Sequence, residues 1–221
     1  TKEILYHLLV SEYGPDADLY NPANQNNELA IARLIIKNRD FFNSPPVKGE
    51  SEEVNKKIFL FETGAYRRGE IRQIAETVKP EIGILTGLSQ QHIELFGSQR
   101  KIQLAKFELA ESCTKKVFFN ADNTLTTEIF AEFSSYRNKP TGSQAHKHQI
   151  SATPIPISQN ASQNIQATED ATSFECYGET FTIPWPGKFF VQNTLLCLDT
   201  ARELGISPKS LAQYLPKLPT Q

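Results

Sequence analysis

The stretch Lys57-Ile58-Phe59-Leu60-Phe61-Glu62-Thr63-Gly64 decides the fold class. Its apolar residues run without interruption, end in an acid and meet a glycine. An apolar run that short and unbroken predicts a strand buried on both faces, as in a parallel sheet. The period then changes: Glu70 to Val78 spaces its apolar residues as a helix does and halts at Pro80. The alternation repeats, with a strand over Ile82 to Thr86, a helix over Lys101 to Ser112 and a strand over Lys116 to Phe119 that ends at Asn120. Strands alternating with helices predict an α/β protein with a three-layer, mostly parallel sheet and helices on both faces.

Upstream, Ile4, Leu5, Leu8 and Leu9 mark a helix from Thr1 to Tyr13, stopped by Gly14-Pro15. After a polar stretch from Asp16 to Asn27, Leu29 to Ile36 reads as an amphipathic segment. The charged run from Asn43 to Lys57, with Pro45-Pro46, reads as a surface loop. Downstream, residues 134–172 are polar and irregular, with Ile155 and Ile157 in an edge strand. Phe174 to Tyr177 and Thr180 to Ile183 predict a hairpin in which Gly178 opens a two-residue turn, Gly178-Glu179. Leu195, Leu198, Ala201 and Leu204 predict a last long helix ahead of Gly205. Ser207-Pro208 supplies a cap and a first-turn proline for a short helix through Tyr214. The organisation expected is one domain over residues 1–215, with 216–221 opening a linker at Pro216 and Pro219.

Composition narrows the function. The 221 residues are 39% hydrophobic, enough to bury one sizeable core. A formal net charge of -2 and an isoelectric point near 6.1 offer no field for nucleic acid or an anionic membrane. No apolar run approaches the ~20 residues of a spanning helix, and no signal peptide opens the chain. Cys113, Cys176 and Cys197 are odd in number and far apart, which fits reduced, buried thiols in a cytoplasmic protein. The chain has no methionine and begins at Thr1, which leads us to expect part of a longer protein.

In parallel sheets ligands gather at the carboxyl ends of the strands. That rule singles out Glu62-Thr63-Gly64, the run from Thr86 to His92, and Asn120-Ala121-Asp122. A carboxylate and an imidazole at adjacent strand ends could share a cation, although such acids are more often simply solvated. Lys106 lies at the edge of the stripe made by Ile102, Ala105 and Leu109, where a lysine ordinarily runs its stem along apolar surface. Asn193 is ordinarily a polar residue near a helix end. His146 and His148 lack a full set of metal ligands and read as solvated.

The same positions resemble the Mur ligases. The residues that carry the likeness are Phe61 to Ile71, Gln91-His92 with Phe96-Gly97-Ser98, Ala105-Lys106-Phe107-Glu108, Asn120-Ala121-Asp122 and, upstream, Asn26-Asn27-Glu28. The likeness is dense from Thr1 to Asn123 and resumes from Gly187 to Ser207. It implies the P-loop-type central domain of an ATP-dependent ligase, without its first strand and phosphate loop, which would lie just ahead of Thr1. A C-terminal domain would follow Gln221, so the segment alone would be inactive.

The implied reaction joins a carboxylate and an amine through an acyl phosphate, with ATP and Mg²⁺ as cofactors. The matches favour the cell-wall branch, which adds a D-alanyl-D-alanine-type dipeptide or an amino acid to a UDP-muramoyl peptide. Glu62 would hold Mg²⁺, His92 a second Mg²⁺, and Lys106 would react with CO₂ to give a carbamate, an anionic oxygen ligand for the metal. That reaction needs a neutral amine, which partial desolvation favours. Asn26, Asn27 and Asn193 would lie along the nucleotide. The UDP-sugar peptide and the amino acid or dipeptide would be bound by other domains, and a monomer is expected. One departure stands out: where the family places Gly-x-His-Asn-x-x-Asn, this chain has Gly187-Lys188-Phe189-Phe190-Val191-Gln192-Asn193. The polar pair beside the base is replaced by two phenylalanines, which leaves base recognition to stacking or to nothing. Two other readings stay open, a folyl-polyglutamate-synthetase-like ligase and a non-catalytic interaction module that keeps the fold.

Overall fold

The computed structural model describes residues 1–22, 25–43, 57–89, 93–136 and 150–219, without the side chains of Asp18, Ser135 and Tyr136. In chain order its elements are α1 (Lys2–Tyr13), β1 (Asp18–Tyr20), α2 (Glu28–Lys37), α3 (Arg39–Asn43), β2 (Ile58–Leu60), α4 (Glu70–Val78), β3 (Ile82–Leu85), α5 (Ile93–Phe96) and α6 (Gln99–Ser112). There follow β4 (Lys116–Asn120), α7 (Thr124–Tyr136), β5 (Thr153–Ile157), β6 (Gln163–Ala167), β7 (Thr172–Cys176), β8 (Glu179–Ile183), α8 (Phe189–Glu203) and α9 (Pro208–Tyr214). Contacts divide the chain into two compact units, Thr1–Glu62 with Gln159–Gln221, and Thr63–Ser158.

In the first unit β1 and β2 pair in parallel, Tyr20 opposite Leu60. Helix α1 turns its stripe of Ile4, Leu5, Leu8 and Leu9 fully inward and packs on α8 and α9. Hydrogen bonds from Tyr13 Oη to Leu204 O (2.6 Å) and from Tyr214 Oη to Glu12 Oε2 (3.0 Å) finish that seam. The predicted hairpin is part of a three-stranded antiparallel sheet, β6-β7-β8. Its turn is Tyr177-Gly178, both at positive φ (53° and 78°), with Cys176 paired to Glu179. Two consecutive positive φ values define a type I′ turn, so the turn falls one residue earlier than Gly178-Glu179. Tyr177 tolerates this conformation because its side chain is tied down. Its hydroxyl donates to Asp199 Oδ2 at 2.6 Å, and Arg202 lies 3.8 Å from the ring centre. Past α9, Leu215 and Leu218 are buried, and Trp185 Nε1 donates to Pro219 O at 2.9 Å, so the chain packs on this unit through Pro219.

In the second unit β3, β4 and β5 form a parallel sheet in that order. Strand β4 is the central one and buries Val117, Phe118 and Phe119 in succession, as expected of a strand covered on both faces. Strand β5 carries Pro154 and Pro156 and lies at the edge, where a missing N–H costs the ladder least. Helices α6 and α7 close one core, with Phe119 stacked on Phe130 at 4.0 Å and Phe107 on Phe133 at 4.5 Å. Gly83 is required there: a Cβ would meet Cys113 Sγ at 2.6 Å.

The α/β class, with parallel strands flanked by helices and a small antiparallel addition, agrees with the sequence expectation. Helix α7 and strand β6 were not expected. The stretch 43–57 and the 134–172 segment fall partly, and His146 and His148 wholly, outside the described residues.

Candidate functional site at the strand ends

Glu62 stands just past β2 with 57% of its side chain exposed. Its backbone is held from the neighbouring strand. Asn21, the residue after β1, is 1% exposed and accepts from Glu62 N at 2.8 Å while donating to Glu62 O at 2.9 Å and to Gln25 O at 2.7 Å. The Asn21 carbonyl accepts a 2.5 Å bond from Lys2 Nζ, whose side chain is 8% exposed. That ammonium also lies 3.4 Å from Glu3 and 4.0 Å from Glu62, and 5.4 Å from the centre of the Tyr20 ring. An ammonium and an open carboxylate therefore stand side by side at the carboxyl ends of two parallel strands.

The other predicted residues of this unit are spread along it. Asn26 is half-buried. Asn27 caps α2, its Oδ1 accepting from Ala30 N at 3.0 Å, the bond an N-cap asparagine ordinarily makes. Asn193 lies half-buried in α8, one turn after Phe189 and so on the same helix face. Phe189 is 70% exposed and its ring lies tilted 36° against that of Phe190 at 4.1 Å, and Phe190 lies 5.2 Å from Trp185. The family departure at 189–190 thus appears as an open aromatic surface beside Asn193.

In the second unit Lys106 is half-buried on α6. The expected stripe of Ile102, Ala105 and Leu109 packs with Ala65, Ile71 and Phe96, while Phe107 and Ala110 join the α7 core. Lys106 stands between Ile102 and Ala110 on the four-residue ladder, flanked by both cores. Two residues on, Glu108 is buried at 2% and serves α4. Its oxygens accept from Gly69 N at 2.8 and 3.0 Å and from Arg72 N at 3.2 Å, a carboxylate at a helix N-terminus. Glu70 bonds back to Tyr66 N (2.7 Å) and Arg67 N (3.1 Å), and the Tyr66 bond, ahead of the other causes, holds its carboxyl below the usual range. Together these two acids fix the loop that leads into α4.

At the end of β4, Asn120 Nδ2 donates to Thr86 O at 2.9 Å. Asp122 accepts from Ser158 Oγ at 2.6 Å, and Asn123 Oδ1 collects Leu88 N, Thr126 N and Thr126 Oγ1. The Asn120-Ala121-Asp122 stretch therefore ties three strand exits together. His92 lies outside the described residues.

Among the described residues no group of three His, Cys, Asp or Glu could hold a metal. Magnesium needs no such cage, since it keeps several waters and takes one or two carboxylates beside phosphate oxygens. Glu62 suits that style of binding: a hard oxygen donor, open to solvent, with a lysine nearby to meet anionic charge. Thr63 Oγ1, next in the chain, is buried without a hydrogen-bond partner, a hydroxyl that a ligand or water would satisfy. The Glu62 carboxylate beside the Lys2 ammonium fits a magnesium–phosphate group. All three cysteines are buried and free, and burial pushes the thiols of Cys113 and Cys197 up to about 12. They are packing residues.

Sequence reasoning missed Lys2, Asn21 and Glu108 as site-shaping residues. Asn21 sits in a polar stretch that reads as loop, and β1 is three residues long, too short to give a period. Glu108 did carry a signal, an acid within a helix stretch otherwise rich in core positions.

Fold and site define a class first: an α/β chain whose two parallel sheets each carry polar residues at the carboxyl ends of their strands, where such sheets take ligands. The chain belongs to the Mur ligase middle domain family, whose profile matches residues 1–201. It is 25% identical over 169 residues to the UDP-N-acetylmuramoyl-tripeptide–D-alanyl-D-alanine ligase of Bacillus subtilis, covering 74% of this chain and 34% of that one. Against the enzyme of the same name from Escherichia coli it is 21% identical over 206 residues, 90% of this chain and 40% of the relative. The chain thus spans about a third to two fifths of such relatives. A crystal structure of MurF from Acinetobacter baumannii superposes with a TM-score of 0.74 at 18% identity, over 100% of this chain and 43% of the other. MurF from Thermotoga maritima in complex with ADP gives 0.62 at 19% identity, over 96% and 44%.

Proposed function

We propose that the chain is the nucleotide-handling part of an ATP-dependent ligase that joins a carboxylate to an amine through an acyl phosphate in peptidoglycan synthesis. The observation that carries this reading is the family match along residues 1–201, taken with relatives that bear the tripeptide–D-alanyl-D-alanine ligase name. In this reading the carboxylate substrate is a UDP-muramoyl peptide, the amine is a D-alanyl-D-alanine-type dipeptide or an amino acid, and other segments of the protein bind both. The protein works in the cytoplasm as a monomer, and residues 1–221 alone do not complete the reaction. Among the described residues no helix is long and apolar enough to cross a membrane.

The roles follow from chemistry. When bound, ATP with Mg²⁺ supplies the phosphoryl group and neutralises its charge. Glu62 offers the metal a hard carboxylate, and Lys2 keeps positive charge beside it. His92 and a carbamate on Lys106 are the further ligands proposed. Lys106 is half-buried between two apolar cores, and it is the neutral form of an amine that attacks CO₂. Asn26, Asn27 and Asn193 lie along the nucleotide, and Phe189 with Phe190 offers the base a stacking face in place of polar recognition.

The test is ATP- and amine-dependent phosphate release by the full-length protein, with Lys106→Ala alongside. The reading predicts release by the parent and a loss of at least about 100-fold in the variant, restored in part by added short-chain carboxylic acids that replace the carbamate. No release with any muramoyl peptide, folate or amino-acid substrate, and no ATP binding, would favour a non-catalytic module.

A further inference from the structure

We infer that Asn21 is the positioning residue of Glu62: a buried amide on one strand that sets the place and direction of a metal-binding carboxylate on the next. The inference rests on the metal role proposed for Glu62 and goes beyond it by assigning what holds that carboxylate.

Glu62 has left the β ladder, whose last pair is Tyr20 with Leu60. Past that pair no strand bonding fixes the backbone of residue 62, so its direction depends on whatever else grips it. Asn21 grips both sides of it, taking the N–H at 2.8 Å and giving to the C=O at 2.9 Å. One planar amide thus substitutes for the next rung of the ladder, a side chain standing in for a backbone. Its remaining N–H goes to Gln25 O at 2.7 Å, which closes the segment leading to α2 onto the same point. At 1% exposure the amide is shielded from water, so these bonds are hard to replace. The backbone carbonyl of Asn21 meanwhile holds the Lys2 ammonium at 2.5 Å. A single residue therefore sets both members of the Lys2–Glu62 pair. Alanine cannot do this, and aspartate keeps only the acceptor half, turning a negative charge toward two carbonyls.

Residues that orient a metal ligand typically affect metal affinity by 10–100-fold. For Asn21→Ala we expect about a 10-fold weaker grip on Mn²⁺, used as a magnetic stand-in for Mg²⁺ and titrated with ADP present by the electron paramagnetic signal of the free ion. The amide proton of Glu62 should also exchange at least about 10-fold faster, because its acceptor is gone. Tyr13→Phe, which deletes the bond to Leu204 O elsewhere in the same unit, serves as the stability control, and Glu62→Gln tests the ligand itself. Weaker Mn²⁺ binding in Asn21→Ala and Glu62→Gln, with Tyr13→Phe unchanged, supports the inference. Weaker binding in Glu62→Gln but parent-like binding in Asn21→Ala overturns it and leaves the metal role standing. Unchanged binding in Glu62→Gln overturns both. Should Asn21→Ala not fold, Asn21→Asp, with the same shape, is read by the same two measurements.

Discussion

Replacing Glu108 tests how α4 and the loop before it are held. The carboxylate is 2% exposed and bonds to two backbone N–H groups, those of Gly69 and Arg72. Hydrogen bonds to a charged group are worth about 1.5–3 kcal/mol each, and orphaned buried donors cost about 1–3 kcal/mol. The attraction between the charge and the helix N-terminus adds about 0.5–1 kcal/mol. Because the first two figures describe the same bonds, they are not summed, and Glu108→Ala is expected to cost about 4 kcal/mol. Glu108→Gln keeps the volume and one acceptor but loses the charge, so about 2 kcal/mol is expected. For a chain of this size that corresponds to melting temperatures lower by roughly 8–16 °C and 4–8 °C. Gly69→Ala provides an independent check. Its φ is 95° and an added Cβ meets open space, so only backbone strain is introduced, about 1–2 kcal/mol. The measurements are thermal unfolding by circular dichroism and amide exchange over residues 69–78. The reasoning is refuted if Glu108→Ala costs under about 1 kcal/mol, or if the alanine and glutamine variants are equal, since packing alone would then account for the site.

The aromatic face at the start of α8 should matter for nucleotide and not for stability. Phe189→Ala is expected to weaken ADP binding by about 10-fold, the value of one base stack, and to leave the melting temperature within about 1 °C because the ring is 70% exposed. Trp185, the single tryptophan, lies 5.2 Å from Phe190 and reports the titration by fluorescence; equal affinity in parent and variant would remove the stacking role. Glu70 makes the fold sensitive to acid. Its folded pKa lies below the ordinary 4.5, so its contribution is complete above that value and is lost as pH falls through the lower folded value. Urea midpoints measured down the pH scale should fall less steeply below 4.5 for Glu70→Gln than for the parent, and parallel curves would contradict this assignment.

Much of the architecture was readable because burial on both faces leaves a strong trace. Lys116 to Asn120 shows an unbroken apolar centre, and α6 shows its three-and-four spacing. Helix α4 was expected over the same residues at which it occurs, Glu70 to Val78, because Pro80 marks its end. Elements whose order comes from partners distant in sequence were not readable. Strand β6 is exposed on every residue but the half-buried Ile165, and is held by pairing with β7. The hairpin turn shifted by one residue because a tyrosine at positive φ is costly in isolation, and it becomes tolerable only through Asp199 and Arg202, more than twenty positions away. The same physics divided the site residues. Glu62 was visible as an acid closing an apolar run. The amide that grips it was hidden in a stretch that looks like a loop, as was the cap that Asn27 places on α2.

Helix α6 touches two separate cores, and this bears on how the chain can vary. Inserting one residue between Gln99 and Lys106 would turn everything downstream in the helix by about 100°. Phe107 would swing out of the α7 cluster, Glu108 would leave α4 bare, and the Lys106 amine would point elsewhere. A length change ahead of Lys106 is therefore expected to be far more damaging than a side-chain swap of similar volume, so the register of a single helix acts as the ruler that keeps both cores filled.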